Sequence, residues 1–562
     1  MRIALAQTNP TVGDLEGNAL AMIDAAHRAA ELSADVVVFP ELAVCGYPPR
    51  DLLFRSGFVE GCVLTAERVA EACRTGPTLI IGTPAPSSAR SGATANALLV
   101  FRGGRVVDRY EKRLLPEYDV FDERRYFEPG TSPTVIEIAG TRCGLAICED
   151  LWHGEDAGTA DRYRGQGDPI AELVSSGAQA ILVPSASPFV LGKHARHMDI
   201  LRRHAQRHGV PVVSVNQAGA NDDLVFDGRS CAVSPEGKSL GSCAAFSDDL
   251  VVLDLDAAGP TETTPRDGML DLFEALVLGI RDYGRKSGFR GACLGVSGGI
   301  DSALVAAIAV RAFGPEAVLG VSMPGKYSSD HSRTDAHELC ERLGIRLLSG
   351  PIAEPFDGFT RAVDPLLTEI GQDALGATLP DLAEENLQSR VRGTLMMTLS
   401  NRTGQLLLTT GNKSELAVGY GTLYGDMNGG LAVIGDVPKT MVFDLCRWIN
   451  EHHALAGFAE PPIPETIISK EPSAELAPGQ RDTDSLPPYE VLDEIVERFV
   501  DREQSRDEIA RAVPALDRAE IDRVCGMIER NEYKRYQLAL TLKVLPRAFG
   551  PGRRVPLVHR WR

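Results

Sequence analysis

Residues 295–303 read G-V-S-G-G-I-D-S-A, between an apolar, strand-like run ending at Val296 and a helix-like run over 303–313. A strand, a tight loop and a helix start in that order restrict the surrounding chain to an α/β arrangement with the loop at a strand end. Adjacent Gly298 and Gly299 let the backbone turn sharply and approach a ligand with no Cβ in the way. Ser297 and Ser302 add hydroxyls, and the helix N-terminus adds free amides and a partial positive charge, so a phosphate fits. Asp301 is the odd member. A carboxylate facing a phosphate repels it unless a divalent cation lies between them, which makes Asp301 a candidate Mg²⁺ ligand. The G-x-x-x-x-G-K-[ST] pattern of a γ-phosphate grip is missing. An ordinary glycine-rich turn is the alternative, and the two serines and the aspartate at these offsets weigh against it.

The stretch resembles the S-G-G-x-D-S pyrophosphate loop of the ATP-pyrophosphatase superfamily. That resemblance implies a doubly wound, Rossmann-like parallel sheet, ATP as co-substrate with Mg²⁺, and AMP and pyrophosphate as products. It also implies ATP contacts from Gly295, Val296, Ser297, Gly298, Gly299, Ile300, Asp301 and Ser302.

A chain of 562 residues is too long for one core and is expected to hold at least two large domains. A net charge of −19 excludes a long nucleic-acid backbone as partner, since phosphate neutralisation needs a basic surface. Eleven cysteines with no C-x-x-C pair, and a strand-like M-R-I-A-L-A-Q start with no signal peptide, predict reduced thiols in the cytoplasm. No apolar run is long enough to span a membrane.

The first half alternates short apolar runs with helical spacing: R-I-A-L-A-Q, then 18–32 as a helix, A-D-V-V-V-F-P-E, T-L-I-I-G-T-P, a hairpin-like stretch around Gly103 and Gly104, and G-L-A-I-C-E-D. Glu41, Lys112 and Cys148 stand at three of these strand ends. A thiol becomes a strong nucleophile once deprotonated, a glutamate can take its proton, and an ammonium can stabilise the oxyanion that forms. Singly, a surface Glu, a surface Lys and a buried Cys are each the better explanation. Together F-P-E-L, Y-E-K-R-L-L-P and A-I-C-E-D-L-W resemble the Glu, Lys and Cys motifs of the nitrilase (carbon–nitrogen hydrolase) superfamily. This implies an α-β-β-α sandwich over 1–256 that hydrolyses an amide through a thioester. In the amidotransferase version, Tyr118, Ser187 and Lys193 are implied to contact glutamine, with Glu123 as a supporting carboxylate. Asp119 stands where glycine is expected, and 153–168 reads as an insertion after the nucleophile.

Residues 257–269 are rich in Pro, Thr and small side chains and read as a linker to a second domain over 270–562. A helix over 270–286 leads into the phosphate loop. Strings such as E-N-L-Q-S-R-V-R-G, T-T-G-N-K-S-E-L, E-P-S-A-E-L-A-P-G-Q and R-N-E-Y-K-R-Y-Q resemble the NAD⁺ synthetase domain. By motif position, Asn386, Glu415 and Lys534 are implied to contact deamido-NAD, Thr410 to contact ATP, and Glu415 to join Asp301 at the metal. A helix cap for Asn386 and a solvated helix face for Lys534 are the plain alternatives. Residues 490–511 read as a plain surface helix.

Both halves together resemble the glutamine-dependent NAD⁺ synthetases. The implied reaction is ATP-dependent amidation of deamido-NAD, with ammonia from a cysteine glutaminase and an adenylated intermediate, in a homo-oligomer. Adenylation replaces a very poor leaving group with AMP, and an attached glutaminase supplies ammonia unprotonated. Asparagine synthetases use an N-terminal cysteine, whereas residue 2 here is Arg, and GMP synthetases carry a Cys-His-Glu glutaminase.

Overall fold

The computed structural model describes residues 1–154, 162–257, 266–375 and 380–561, so the insertion and the linker lie partly outside the described residues. The chain divides into two compact units, Met1–Arg266 and Asp267–Arg562.

In the first unit, Arg2–Gln7, Val36–Val38 and Thr78–Pro86 run parallel at the centre of a six-stranded sheet. Thr94–Arg102, Arg105–Glu111 and Asp249–Asp254 extend it antiparallel. A second six-stranded sheet is built around Thr141–Leu145, Ala180–Ser185 and Val212–Asn216. Alternation places the side chains. Ile3 and Leu5 of Arg2–Gln7 join a buried cluster with Leu145, Leu182 and Val213 of the other sheet, whereas Ala4 and Ala6 pack against Ala19, Met22, Ala66 and Val69 of helices Leu15–Glu31 and Phe58–Ala72. On the second sheet, Ile181, Val183 and Val212 meet Ile170, Leu173, Ile200 and Leu201 of helices Pro169–Ser175 and Lys193–His208. Apolar residues on both faces of a strand signify a sheet covered on both sides, and the result is the α-β-β-α sandwich.

The second unit has six parallel strands. In chain order they are Ala292–Gly295, Val318–Ser322, Arg346–Ser349, Leu406–Thr409, Leu431–Ala432 and Leu540–Thr541, and their spatial order is 3-2-1-4-5-6. That order reverses between Ala292–Gly295 and Leu406–Thr409, leaving a crevice beyond their carboxyl ends, where doubly wound sheets bind ligands. The helix before the first strand runs Gly268–Ser287, slightly longer than the sequence pattern, because Asp267 caps it by accepting from the Met269 amide at 2.8 Å. The helix after that strand starts at Ile300 rather than 303, with Gly299 as its N-cap, so Asp301 and Ser302 lie in the first turn.

Residues 490–511 are not a plain surface helix. They form Tyr489–Val496, a π-turn Glu497–Asp501 and the start of Arg506–Ala512, with Leu492, Ile495, Val500 and Ile509 in a buried cluster. All eleven cysteines are unpaired in disulfides and buried. No helix among the described residues is long and apolar enough to cross a membrane.

Candidate active sites

Three strand ends in the first unit converge on one buried cluster. Glu41 follows Val36–Val38, Lys112 follows Arg105–Glu111, and Cys148 opens the 3₁₀ turn Cys148–Trp152 beyond Thr141–Leu145. The Lys112 ammonium donates to Glu41 Oε1 at 2.7 Å and to Glu123 Oε1 at 2.8 Å. Asn96 Nδ2 and the Ala186 amide donate to the two oxygens of Glu41 at 2.7 and 3.0 Å, and the Tyr47 hydroxyl donates to Glu123 at 2.9 Å. Gly82 makes the cluster possible, since a Cβ there would stand 2.3 Å from the Pro40 carbonyl oxygen and 2.6 Å from the Leu42 amide, on either side of Glu41. Burial alone would lower the pKa of Lys112, but the Glu123 and Glu41 carboxylates outweigh it and hold the ammonium well above its usual range. Burial pushes Glu123 up, against the pull of Lys112.

Cys148 has φ of 41°, a left-handed conformation that a non-glycine residue adopts only when its surroundings impose it. Asp150 imposes it. Its carboxylate accepts from the Ile147 amide at 2.8 Å and the Tyr110 hydroxyl at 2.8 Å on one oxygen, and from the Leu114 and Arg113 amides at 2.9 and 3.2 Å on the other. It thus ties the Cys148 turn to the segment that carries Lys112. Burial pushes the Cys148 thiol far above its usual value, with the Glu41 charge adding and the Lys112 charge partly offsetting. Burial thus favours the neutral form of this thiol.

Around it, the Tyr118 hydroxyl donates to the buried Glu149 carboxylate at 3.1 Å, the Tyr163 hydroxyl donates to the same group at 2.6 Å, and the Arg162 guanidinium lies 3.7 Å from the Tyr118 ring centre. Lys193 Nζ donates to Ser187 Oγ at 2.7 Å. Asp119 has φ of 50°, which explains a glycine preference at its position; a short polar side chain tolerates that conformation better than most.

In the second unit a cavity of about 550 Å³ opens at the reversal point of the sheet. Gly295, Val296, Ser297, Gly299, Ile300, Asp301 and Ser302 line it, together with Asn386, Thr410, Glu415 and Lys534. Gly298 does not. Its φ is 78°, and a Cβ would stand 2.3 Å from the Ser332 carbonyl oxygen, so it is the point where the loop presses against the neighbouring helix Asp330–Leu343. The two serine hydroxyls hold the loop's own shape: Ser302 Oγ donates to the Gly299 carbonyl at 2.9 Å, and Ser297 Oγ accepts from the Gly299 amide at 3.2 Å.

Asn386 is not a helix cap. Asp381 caps Leu382–Thr403, and Asn386 Oδ1 accepts from the Thr422 hydroxyl at 2.6 Å inside the cavity wall. Lys534 is not on a solvated face either, since its ammonium donates to the Gly419 and Gly421 carbonyls at 2.7 and 2.8 Å. Glu415 is the third residue of helix Lys413–Val418 in a capping box with Asn412, whose amide nitrogen Nδ2 donates to Asp301 Oδ1 at 3.0 Å. Lys439 Nζ lies 2.5 Å from Asp301 Oδ2 and 3.2 Å from Glu415 Oε1. Burial pushes Glu415 up to about 8 against the pull of Lys439, with the Asp301 and Asp482 charges adding.

Among the described residues no group of three or more His, Cys, Asp or Glu side chains could hold a metal. Mg²⁺ asks for less, namely one or two carboxylates completed by substrate phosphates and water. Asp301 and Glu415, beside the phosphate loop and already sharing one cation in the form of the Lys439 ammonium, fit that donor set.

Lys439, Asn412, Glu149, Asp150 and Asn96 were not singled out from the sequence. Asn412 with Glu415 is a visible N-x-x-E capping signal, and Glu149 and Asp150 follow Cys148 directly. Nothing near Lys439 or Asn96 marks them, because their partners lie far away in the chain.

The carbon-nitrogen hydrolase family model matches residues 2–264, and the NAD synthase model matches residues 272–538. A glutamine-dependent NAD(+) synthetase from Synechocystis is 45% identical over 99% of this chain and 98% of its own, and one from Thermotoga maritima is 38% identical over 100% and 99%. The solved glutamine-dependent NAD⁺ synthetase from Acinetobacter baumannii, in complex with ADP, superposes with a TM-score of 0.75 at 35% identity, covering 99% of this chain and 98% of that one.

Proposed function

Because the chain belongs to the family of glutamine-dependent NAD(+) synthetases, we propose that its two units divide glutamine- and ATP-dependent NAD⁺ synthesis between Cys148 and the phosphate-loop cavity. The chain is a ligase, with a glutaminase unit and an NAD⁺ synthetase unit.

In the first unit Glu41 takes the Cys148 proton, and the thiolate attacks the carboxamide carbon of glutamine. The oxyanion faces the Lys112 ammonium, which Glu123 and Glu41 keep charged. Collapse returns the proton from Glu41 to the leaving nitrogen, releasing ammonia and a thioester. Water, deprotonated by Glu41, then cleaves the thioester to glutamate and regenerates the thiol. Lys193 beside Ser187 offers positive charge to the α-carboxylate of glutamine, and Glu149 beside Tyr118 offers negative charge to its α-ammonium.

In the second unit the carboxylate of deamido-NAD attacks the α-phosphorus of ATP, pyrophosphate leaves into the loop 295–302, and ammonia displaces AMP from the adenylate. Thr410 contacts ATP, and Asn386, Glu415 and Lys534 contact deamido-NAD. Mg²⁺, when bound, would be held by Asp301 and Glu415 and would neutralise charge on the phosphates. The protein is read as a cytoplasmic homo-oligomer with no nucleic-acid or membrane partner.

The observation that supports this most is the gathering of Asp301, Asn386, Thr410, Glu415 and Lys534, dispersed along the chain, in one cavity with the phosphate loop. Incubation with deamido-NAD, ATP, Mg²⁺ and either glutamine or ammonium should give NAD⁺, AMP and pyrophosphate in equal amounts. ADP and phosphate instead would exclude adenylation.

A further inference from the structure

We propose that Lys439 is a built-in cation that keeps Mg²⁺ out of the nucleotide-free site, so that the metal enters only together with the phosphates of ATP. This rests on the reading of Asp301 and Glu415 as the metal carboxylates.

Lys439 is the first residue of helix Lys439–Glu451, and its side chain is almost wholly buried. Its ammonium takes one oxygen of each carboxylate, Asp301 Oδ2 and Glu415 Oε1. The remaining oxygens are occupied from the protein side: Asn412 Nδ2 donates to Asp301 Oδ1, and the Asn412 amide donates to Glu415 Oε2 at 3.4 Å. The two oxygens that face the ammonium already share one cation, and a metal bridging the two carboxylates there would compete with it for them. The Tyr489 ring, 5.3 Å from Nζ, and Asp482, which accepts from the Tyr489 hydroxyl at 2.7 Å, complete the ammonium's surroundings.

Mg²⁺ needs carboxylate oxygens at about 2.0–2.1 Å and gives up its water reluctantly. With Lys439 in place it would meet an ammonium at contact distance in a buried site, where like charges repel far more than in water. To leave, the ammonium needs another anion. The phosphate loop lies beside Asp301 in the same cavity, so an incoming triphosphate offers Lys439 that alternative partner and brings the oxygens that complete the metal's shell. Metal and nucleotide binding are thereby coupled: each is weak without the other, because the lysine moves only when both arrive.

The test is Mn²⁺ binding to the full chain, followed by loss of the free-ion electron paramagnetic resonance signal. Nucleotide-free wild type should bind Mn²⁺ only weakly, and a non-hydrolysable ATP analogue should tighten binding well beyond the analogue's own affinity for the ion. Lys439→Gln and Lys439→Met, checked for native melting temperature, should bind one Mn²⁺ per chain without nucleotide, at least about tenfold tighter than wild type. Asp301→Asn added to either should remove it. Tight, Asp301-dependent binding by nucleotide-free wild type would overturn the lysine's role and leave the metal site standing. Absence of Asp301-dependent binding in every form, with or without the analogue, would overturn the metal assignment itself.

Discussion

The two sites solve opposite problems with the same device, a buried lysine between two carboxylates. In the first unit Lys112 lies between Glu41 and Glu123, closed off from solvent, near Cys148 in its left-handed backbone conformation. In the second unit Lys439 lies between Asp301 and Glu415 at the wall of a cavity of about 550 Å³. On the proposed reading, a small substrate undergoing covalent chemistry meets a site already assembled, and Lys112 belongs where it rests. On the same proposed reading, large polyanions bring charge and metal into the other site, and Lys439 rests where the metal would go. Preorganisation and placeholding look alike in a list of ion pairs and differ in what they expect to arrive.

The sharpest way to separate the sites is to remove the nucleophile. Cys148→Ala should lower glutamine-dependent NAD⁺ synthesis by more than about 10³-fold and leave synthesis from ammonium salts near wild type. Loss of both would mean a folding defect or a site shared between the halves. The converse is Asp301→Asn, which should lower NAD⁺ formation from either nitrogen source by at least about 10²-fold while glutamate release persists. Wild-type synthesis by this variant at saturating Mg²⁺ would remove Asp301 from the metal.

A smaller effect tests whether the first site is rigid by construction. Asp150→Asn keeps the shape of the strut but replaces an acceptor oxygen with a donor, which leaves at least one backbone amide, Ile147 or the Leu114 and Arg113 pair, without its acceptor. Glutamine turnover should fall about 10- to 100-fold through misplacement of Cys148, with ammonia-dependent synthesis unchanged. Alkylation of Cys148 by iodoacetamide reads the same geometry without turnover. Because burial holds the thiol protonated, its reaction in wild type should be slow at neutral pH and rise steadily with pH. An ordinary thiol's rate, levelling off near pH 9, would show that the resting cysteine is not as enclosed as described.

How far these sites could be read beforehand depends on the range of the interactions that make them. The strand alternation of Arg2–Gln7, the Gly298–Gly299 turn and the Asn412–Glu415 cap are local, and they announce themselves within a few residues. Residues 490–511 misled because a charged residue in a helix reads as solvated unless its partner is visible. Asp501 binds Lys413 at 2.7 Å, and Asp493 binds Ser414 and Thr440, all far away in the chain. Those acids buttress the short helix that presents Glu415. Lys439 was illegible for the same reason, its meaning lying wholly in two carboxylates that the first turns of two other helices deliver. The Glu41, Lys112 and Cys148 motifs were legible only as a set, whereas the bonds from Asn96 and Asp150 that arrange them were not legible at all.

The smallest expected effect concerns the open site's rim. Lys534 holds its ammonium on two backbone carbonyls, Gly419 and Gly421, which leaves its positive charge uncancelled by any carboxylate in those bonds. Burial lowers its pKa, with the Asp426 charge pulling it back up. A cation fastened by neutral dipoles at a cavity wall differs from Lys112 and Lys439, both of which are matched by carboxylates: it presents net charge to a ligand at rest. Lys534→Met keeps the length of the stem and removes that charge, so the KM for deamido-NAD should rise about tenfold, corresponding to about 1.4 kcal/mol of binding, while glutaminase activity stays as it was. Because the two carbonyls also lose their donor, Lys534→Arg serves as the companion. If charge matters, Arg should recover much of the affinity. If the lysine only pins the Gly419–Gly421 turn, both variants should lose kcat for ATP and deamido-NAD alike. That result would make the rim of the second site as rigid by design as the first.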